Sequence, residues 1–83
     1  MQGAAPPGDA QALERAVLGY LKAHPHAADS VQGVARWWLG SMGVTASLVD
    51  VESVLKGLVV RGVLRSVRLV DGTTLYSKAE PDA

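Results

Sequence analysis

The pattern of apolar positions between residues 45 and 77 predicts a helix that leads directly into a pair of strands. In the first half of this segment, apolar residues recur at the three- and four-residue spacing of a helix with one buried face. These residues are Val51, Val54, Leu55, Leu58 and Val59. The apolar period then shortens to two, which indicates strands. We therefore expect a helix over about residues 48–61, capped by Thr45 or Ser47 and ended by Gly62.

Two strand-like runs follow this helix, at residues 63–70 and 73–77, and the pair Asp71-Gly72 between them favours a type I′ turn. Because that turn has two residues, it predicts the register in which residue 67 pairs with residue 76. One face of the hairpin would then cover the helices, and it consists of Val67, Leu69, Thr74 and Tyr76. The opposite face would point to solvent or to a partner, and it consists of Arg68, Val70, Thr73 and Leu75.

Two earlier helices are predicted from the same periodicity. The first is capped by Asp9 and ends near Lys22, because a proline soon follows. The second covers about residues 31–40. A helical wheel buries Trp38 in the core and leaves Trp37 at the edge of the buried face.

Length and composition limit the chain to one small domain. It has 83 residues and no cysteine, which excludes disulfides, thiolate metal sites and thiol chemistry. Residues 1–8 and 79–83 are predicted to be flexible tails around a domain that spans residues 9–78. The sequence opens without a signal-peptide pattern, and no apolar run approaches the roughly 18 residues that span a bilayer. We therefore expect a soluble, cytoplasmic protein.

Motifs for catalysis or metal binding do not stand out in the sequence. His24 and His26 lie two residues apart with Asp29 nearby, but a metal site needs more ligands and a supporting shell. We interpret this segment as a solvated loop. Nucleophile–base spacings, phosphate-binding loops and paired carboxylates in an apolar setting are also absent. The sequence therefore predicts no enzymatic activity, no cofactor and no metal.

Charge is unevenly distributed, although eight basic and eight acidic residues give a formal net charge of zero. Residues 61–78 carry a net charge of +3, from Arg61, Arg65, Arg68 and Lys78 against Asp71. Residues 47–60 carry a net charge of −1. Because affinity for nucleic acid depends largely on phosphate neutralisation by lysine and arginine, the basic hairpin is a candidate for such binding.

The order helix, helix, turn, helix, hairpin resembles the winged helix-turn-helix family. This α+β fold is a three-helix bundle followed by a two-stranded β-hairpin, the wing. Many members read A-x3-L, a short turn, V-x3-L-x2-L-x3-G with two aliphatic residues, a strand, a glycine-containing turn and a late tyrosine. The resemblance covers about residues 10–78. The matching residues are Ala35, Leu39, Gly43, Val44, Val51, Leu55, Leu58, Gly62, Val63, Leu64, Asp71, Gly72 and Tyr76.

The resemblance implies binding to double-stranded DNA, with the third helix in the major groove and the wing on the backbone. The positions that would face the groove are Thr45, Ser47, Val49, Ser53, Lys56 and Gly57. Phosphate contacts would come from Arg68 and Thr73, with Arg65 and Lys78 nearby. A small transcriptional regulator is the implied function, and winged-helix regulators usually bind DNA as dimers.

Protein interaction is the alternative that the residues of the third helix favour. Its outward face carries only one charge and two valines, namely Val49, Ser53, Lys56, Gly57 and Val60. That face also lacks the arginine, asparagine and glutamine side chains that usually read base edges. Exposed aromatic residues favour interfaces, so Trp37 is a further candidate contact. The partner would be another protein or a second copy of the chain, bound through Trp37, Val49 and Val60.

Overall fold

A computed structural model describes residues 6–79 and contains three helices. Helix α1 spans Pro6–Ala23, and helix α3 spans Leu48–Val60. Between them, helix α2 is built from three consecutive segments, which are α-helical at Val31–Gly33, π-helical at Val34–Trp38 and α-helical again at Leu39–Ser41. The wider π turn closes with a hydrogen bond from the Leu39 amide to the Val34 carbonyl.

A three-stranded antiparallel sheet completes the α+β architecture. Strand β1 spans Ala28–Asp29, β2 spans Leu64–Arg68 and β3 spans Thr74–Lys78, in the order β1-β3-β2. The sequence predicted only the two strands of the hairpin. Strand β1 was missed because two residues are too few to display a period.

One apolar core joins the helices to the sheet. Helix α1 contributes one side of the core, and helices α2 and α3 contribute the other side. Each hairpin strand adds one buried side chain. The buried apolar residues are Leu13, Ala16, Val17, Leu21, Val34, Trp38, Leu39, Val51, Leu55, Leu58, Leu64 and Tyr76. The predicted burial of Trp38 is therefore confirmed. The predicted buried face of the third helix is confirmed at Val51, Leu55 and Leu58.

Helix α3 begins and ends close to the predicted residues because local hydrogen bonds close both ends. At its start, the Ser47 hydroxyl accepts a hydrogen bond from the Asp50 amide at 3.1 Å. At its end, the Val63 amide donates to the Leu58 carbonyl at 2.9 Å. This bond belongs to a Schellman motif, which needs a residue in the left-handed region. Gly62 supplies it, with a φ of 79°.

Two glycines of this region are expected to affect stability in opposite directions when replaced by alanine. Gly57 lies within α3, and a Cβ there would meet nothing within 4 Å. We expect Gly57→Ala to raise the free energy of unfolding by about 1 kcal/mol, since alanine favours the helix. Gly62→Ala should lower it by about 1 kcal/mol or more, because a Cβ is strained at positive φ. Urea denaturation of both variants measures the difference, and shifts of the same sign would contradict this assignment.

The register of the hairpin differs by one residue from the prediction. Val67 pairs with Leu75, whereas a two-residue turn predicted that it pairs with Tyr76. The type I′ turn at Asp71-Gly72 is therefore wrong. A one-residue slip moves every side chain of a strand to the other face of the sheet.

A three-residue loop at residues 70–72 causes this register. The Leu69 carbonyl accepts a hydrogen bond from the Gly72 amide at 2.9 Å, and the Leu69 amide donates to the Thr73 carbonyl at 2.7 Å. Gly72 has a φ of 92°. Three-residue hairpin loops commonly place a left-handed residue at their last position, so an Asp-Gly pair suits this loop as well as a type I′ turn.

The slip changes which side chains of β2 face the helices. Tyr76 is buried as predicted, but Val67 and Leu69, which were predicted to cover the helices, are each 41% exposed. Leu64 is the buried residue of β2 instead. Arg68, which was predicted to face away from the helices, pairs with Thr74 and lies on the same sheet face as Tyr76.

The predicted tails overlap slightly with ordered structure. Helix α1 begins at Pro6, which is favourable in a first helical turn because its missing N–H has no partner there in any case. Residues 6–8, predicted as tail, are therefore helical. At the other end, the Ala79 amide donates to the Val63 carbonyl at 3.0 Å. The remaining tail residues, 1–5 and 80–83, lie outside the described residues.

Among the described residues, none of the helices combines the length and the apolar character needed to cross a bilayer.

Candidate nucleic-acid interface

An open groove lies between the start of α2, the outer side of α3 and the hairpin, and we call it the α3–hairpin groove. Helix α3 contributes Glu52 and Lys56 to it, and the hairpin contributes Arg68. The full lining is Ser30, Val31, Gln32, Glu52, Lys56, Arg68, Thr73, Thr74 and Tyr76. Most of these side chains carry hydroxyl, amide or charged groups.

The hairpin register brings Arg68 to this groove. Arg68 lies on the same face of the sheet as Tyr76, whose ring is buried against the helices. Lys56 lies on the exposed side of α3, one turn after Glu52. Two cations from separate elements therefore line one concave surface, although they are 12 positions apart in the sequence.

Both groove cations are available to a ligand. The Lys56 Nζ atom lies 3.3 Å from the Glu52 Oε2 atom, but both side chains are well exposed. An exposed pair at this helical spacing stabilises by only about 0.3–0.5 kcal/mol, so a stronger anion can displace it. Within the part of the chain that is described, Arg68 forms no ion pair with a carboxylate. By contrast, the Arg61 Nη1 atom lies 2.6 Å from the Glu14 Oε2 atom, so this guanidinium already has a carboxylate partner.

The start of α2 forms the polar wall opposite the hairpin. The Ser30 hydroxyl accepts a hydrogen bond from the Gly33 amide at 3.2 Å, and the Ser30 amide donates to the Asp29 Oδ1 atom at 2.9 Å. A Cβ at Gly33 would overlap the Asp29 carboxylate, so glycine allows this close approach. Gln32 is exposed and lines the groove beside Ser30.

The hairpin loop carries a negative charge at Asp71. The Asp71 Oδ1 atom accepts a hydrogen bond from the Thr73 amide at 2.9 Å. This backbone bond is the main reason that the pKa of Asp71 lies below its ordinary value. The loop therefore keeps its carboxylate ionised at neutral pH, and Thr73 holds its backbone amide toward that carboxylate.

Three of the predicted nucleic-acid contacts on and before α3 do not line the groove. Thr45 is exposed, but it borders a separate depression beside α1 that includes Ala12 and Asp50. The Ser47 hydroxyl is occupied as the cap of α3. Ser53 is exposed on the outer face of α3 but does not line the groove.

The remaining two predicted basic contacts lie away from the groove. Arg65 pairs with Ser77, which places it on the sheet face opposite to Arg68. Lys78 lies at the far end of β3, where it borders a cleft with Lys22 and Val63. Of the eight residues predicted to contact nucleic acid, the structure brings together Lys56, Arg68 and Thr73.

Gln32 and Thr74 also line the groove and were not predicted. Gln32 is the first exposed residue after the Ser30 cap. Its polar side chain at the start of the predicted second helix was the signal in the sequence that could have identified it. Thr74 could not have been identified from sequence, because its place depends on the hairpin register. It pairs with Arg68 across the two strands.

The predicted partner-binding residues are all strongly exposed. Trp37 is 60% exposed, and the two exposed valines of α3, Val49 and Val60, are 76% and 87% exposed. The Arg36 guanidinium lies 5.9 Å from the centroid of the Trp37 ring. Trp37 shares a second concave surface with Leu48. That surface adjoins the α3–hairpin groove, because Ser30 and Gln32 line both.

Candidate metal ligands do not gather anywhere in the described residues. Across residues 6–79, no three side chains of histidine, cysteine, aspartate or glutamate lie close enough to hold an ion.

Comparison with known proteins adds no relative. No protein-family model matches the sequence, and no curated protein is significantly similar to it.

Proposed function

We propose that the chain is a winged helix-turn-helix module that binds double-stranded DNA through the α3–hairpin groove and acts in the regulation of transcription. The carrying observation is that Lys56 of α3 and Arg68 of the hairpin line the same groove. In this proposal α3 enters the major groove, and the hairpin acts as the wing on the phosphate backbone.

The chemistry of the groove suits phosphate better than base edges. Lys56 and Arg68 supply the positive charge, and hydroxyl and amide groups from Ser30, Gln32 and Thr73 supply further hydrogen bonds. The outer positions of α3 offer valine and serine, which give little discrimination among bases. We therefore propose binding that is directed mainly at the backbone, with weak sequence preference.

The salt dependence of binding tests how many cations take part. For B-DNA, the slope of log K against log salt is about −0.9 per neutralised phosphate. Contacts from the two groove cations therefore predict a slope of about −1.8 for each bound chain. Contacts from all four basic residues predicted from the sequence, Lys56, Arg65, Arg68 and Lys78, would give about −3.6. Fluorescence anisotropy with a labelled duplex of about 20 base pairs, at several salt concentrations, measures this slope.

Two results would contradict the proposal. The first is an absence of duplex binding at low salt, where phosphate contacts are strongest. The second is binding that salt does not weaken. A single-stranded oligonucleotide of the same length serves as a control for simple charge attraction.

We propose protein binding through the outer face of α3 as a second function. The observation that favours it is the exposure of Val49 and Val60, at 76% and 87%. Valines at such positions gain nothing from contact with water, and the cores of protein interfaces are more apolar than their rims and are enriched in aromatic residues. Trp37 belongs to the same proposal because it lines one concave surface together with Leu48, the first residue of α3.

A further inference from the structure

The outer face of α3 carries one exposed valine near each end and polar side chains between them. Val49, Ser53, Lys56 and Val60 follow one another at steps of four, three and four residues, so they form one stripe along the helix. Val49 and Val60 are equally far from the midpoint between residues 54 and 55. Ser53 and Lys56 are also equally far from it, and so are Glu52 and Gly57.

We propose that α3 binds α3 of a second copy of the chain, in antiparallel orientation about a two-fold axis at that midpoint. This deepens the second proposed function by naming its partner, and it rests on that proposal. An isologous contact requires one surface to complement itself. Here Val49 of each copy meets Val60 of the other, so both exposed valines of each α3 become covered.

Charge complementarity is the observation that selects a second copy as the occupant. At the centre of the antiparallel pair, each Lys56 lies opposite Ser53 and within reach of Glu52 of the other copy. The two copies then form a ring of alternating charges, built from the Lys56–Glu52 pairs that each chain already holds at 3.3 Å. Gly57 lies beside the stripe and, having no side chain, lets the helices approach closely.

Further apolar surface is available at the two ends of this contact. Leu48 is 47% exposed beside Val49, and it shares a concave surface with Trp37. In the antiparallel arrangement, Val60 of the second copy arrives at this same end of α3. Four exposed apolar side chains therefore acquire partners from one arrangement.

The proposed dimer excludes DNA from the same face of α3. The contact involves little more than one helix face, so it falls among small, weak interfaces. We expect a dissociation constant between about 10 µM and 1 mM. Dimerisation would thus reduce the fraction of α3 that is free for DNA as the protein concentration rises.

Sedimentation velocity without DNA tests the dimer directly, with wild type, Val60→Asp and Val70→Asp compared over a range of concentrations. Wild type should sediment faster as concentration increases. Val60→Asp should raise the dissociation constant at least about tenfold, since both copies lose an apolar contact. Val70 is exposed at the hairpin loop, so Val70→Asp is a matched control and should leave the constant unchanged. Circular dichroism checks that each variant is folded.

Exchange of the two charges tests the orientation. Glu52→Lys should weaken the dimer at least about tenfold, because four positive charges then meet at its centre. The double variant Glu52→Lys/Lys56→Glu restores alternating charges and should recover the wild-type constant within about threefold. A wild-type chain that stays monomeric up to about 1 mM overturns the proposal. So does a dimer that Val60→Asp leaves intact, or a double variant that does not recover. Because DNA is absent, failure of the DNA-binding proposal does not affect these results.

Discussion

Replacing Trp38 with alanine is expected to remove a large part of the stability of the domain. The Trp38 side chain is only 2% exposed, and its ring stacks on Tyr20 with centroids 5.1 Å apart and an angle of 9° between planes. Truncation of a buried tryptophan costs about 3–5 kcal/mol. At roughly 0.05–0.15 kcal/mol per residue, a chain of this length has a total stability of about 4–12 kcal/mol. The loss therefore amounts to about a quarter of the total stability or more, and the urea midpoint of unfolding should fall accordingly.

Trp37→Ala is the matched control, because it makes the same substitution one residue earlier. Trp37 is 60% exposed and contacts the Arg36 guanidinium, an interaction worth about 0.5–1 kcal/mol at exposed sites. We expect this variant to lose no more than about 1 kcal/mol. Urea denaturation followed by far-UV circular dichroism measures both variants without relying on tryptophan emission. Equal losses would contradict the burial described for Trp38.

Reversing the two groove cations is expected to abolish measurable DNA binding. In the variant Lys56→Glu/Arg68→Glu, two attractive phosphate contacts become repulsive ones at the centre of the proposed interface. We expect the affinity for duplex DNA to fall at least about 100-fold at about 50 mM salt. Both side chains are exposed, so the fold should be retained. Anisotropy titration with the duplex measures the loss.

The control for this variant is Arg65→Glu/Lys78→Glu, which changes the net charge by the same amount. These two residues lie outside the groove, so only the general repulsion between protein and DNA changes. We expect a loss of no more than about tenfold. If both double variants weaken binding equally, DNA is not held by the groove, and only the overall charge of the protein matters.

The hairpin illustrates why part of the candidate site could not be predicted. The sequence identified a turn at Asp71-Gly72, but this pair is compatible with both a two-residue and a three-residue loop. The choice between them determines the face on which Arg68 lies. Leu64 and Tyr76 are both buried in the observed register, so packing against the helices favours the three-residue loop. Local sequence carries no comparable preference.

The sequence by itself determined the features that depend on neighbouring residues. The ends of α3 follow from a hydroxyl cap at Ser47 and a left-handed residue at Gly62, and both act over a few positions. The different burial of Trp37 and Trp38 follows from the rotation between successive helical residues.

Only the tertiary structure decided the groove. Strand β1 exists because Ala28 and Asp29 find partners on β3, far along the chain. Lys56, Arg68 and Gln32 line one groove because packing of the sheet on the helices sets the hairpin register. Contacts between residues distant in the chain depend on how the apolar faces fit together, and that fit is a property of the assembled domain.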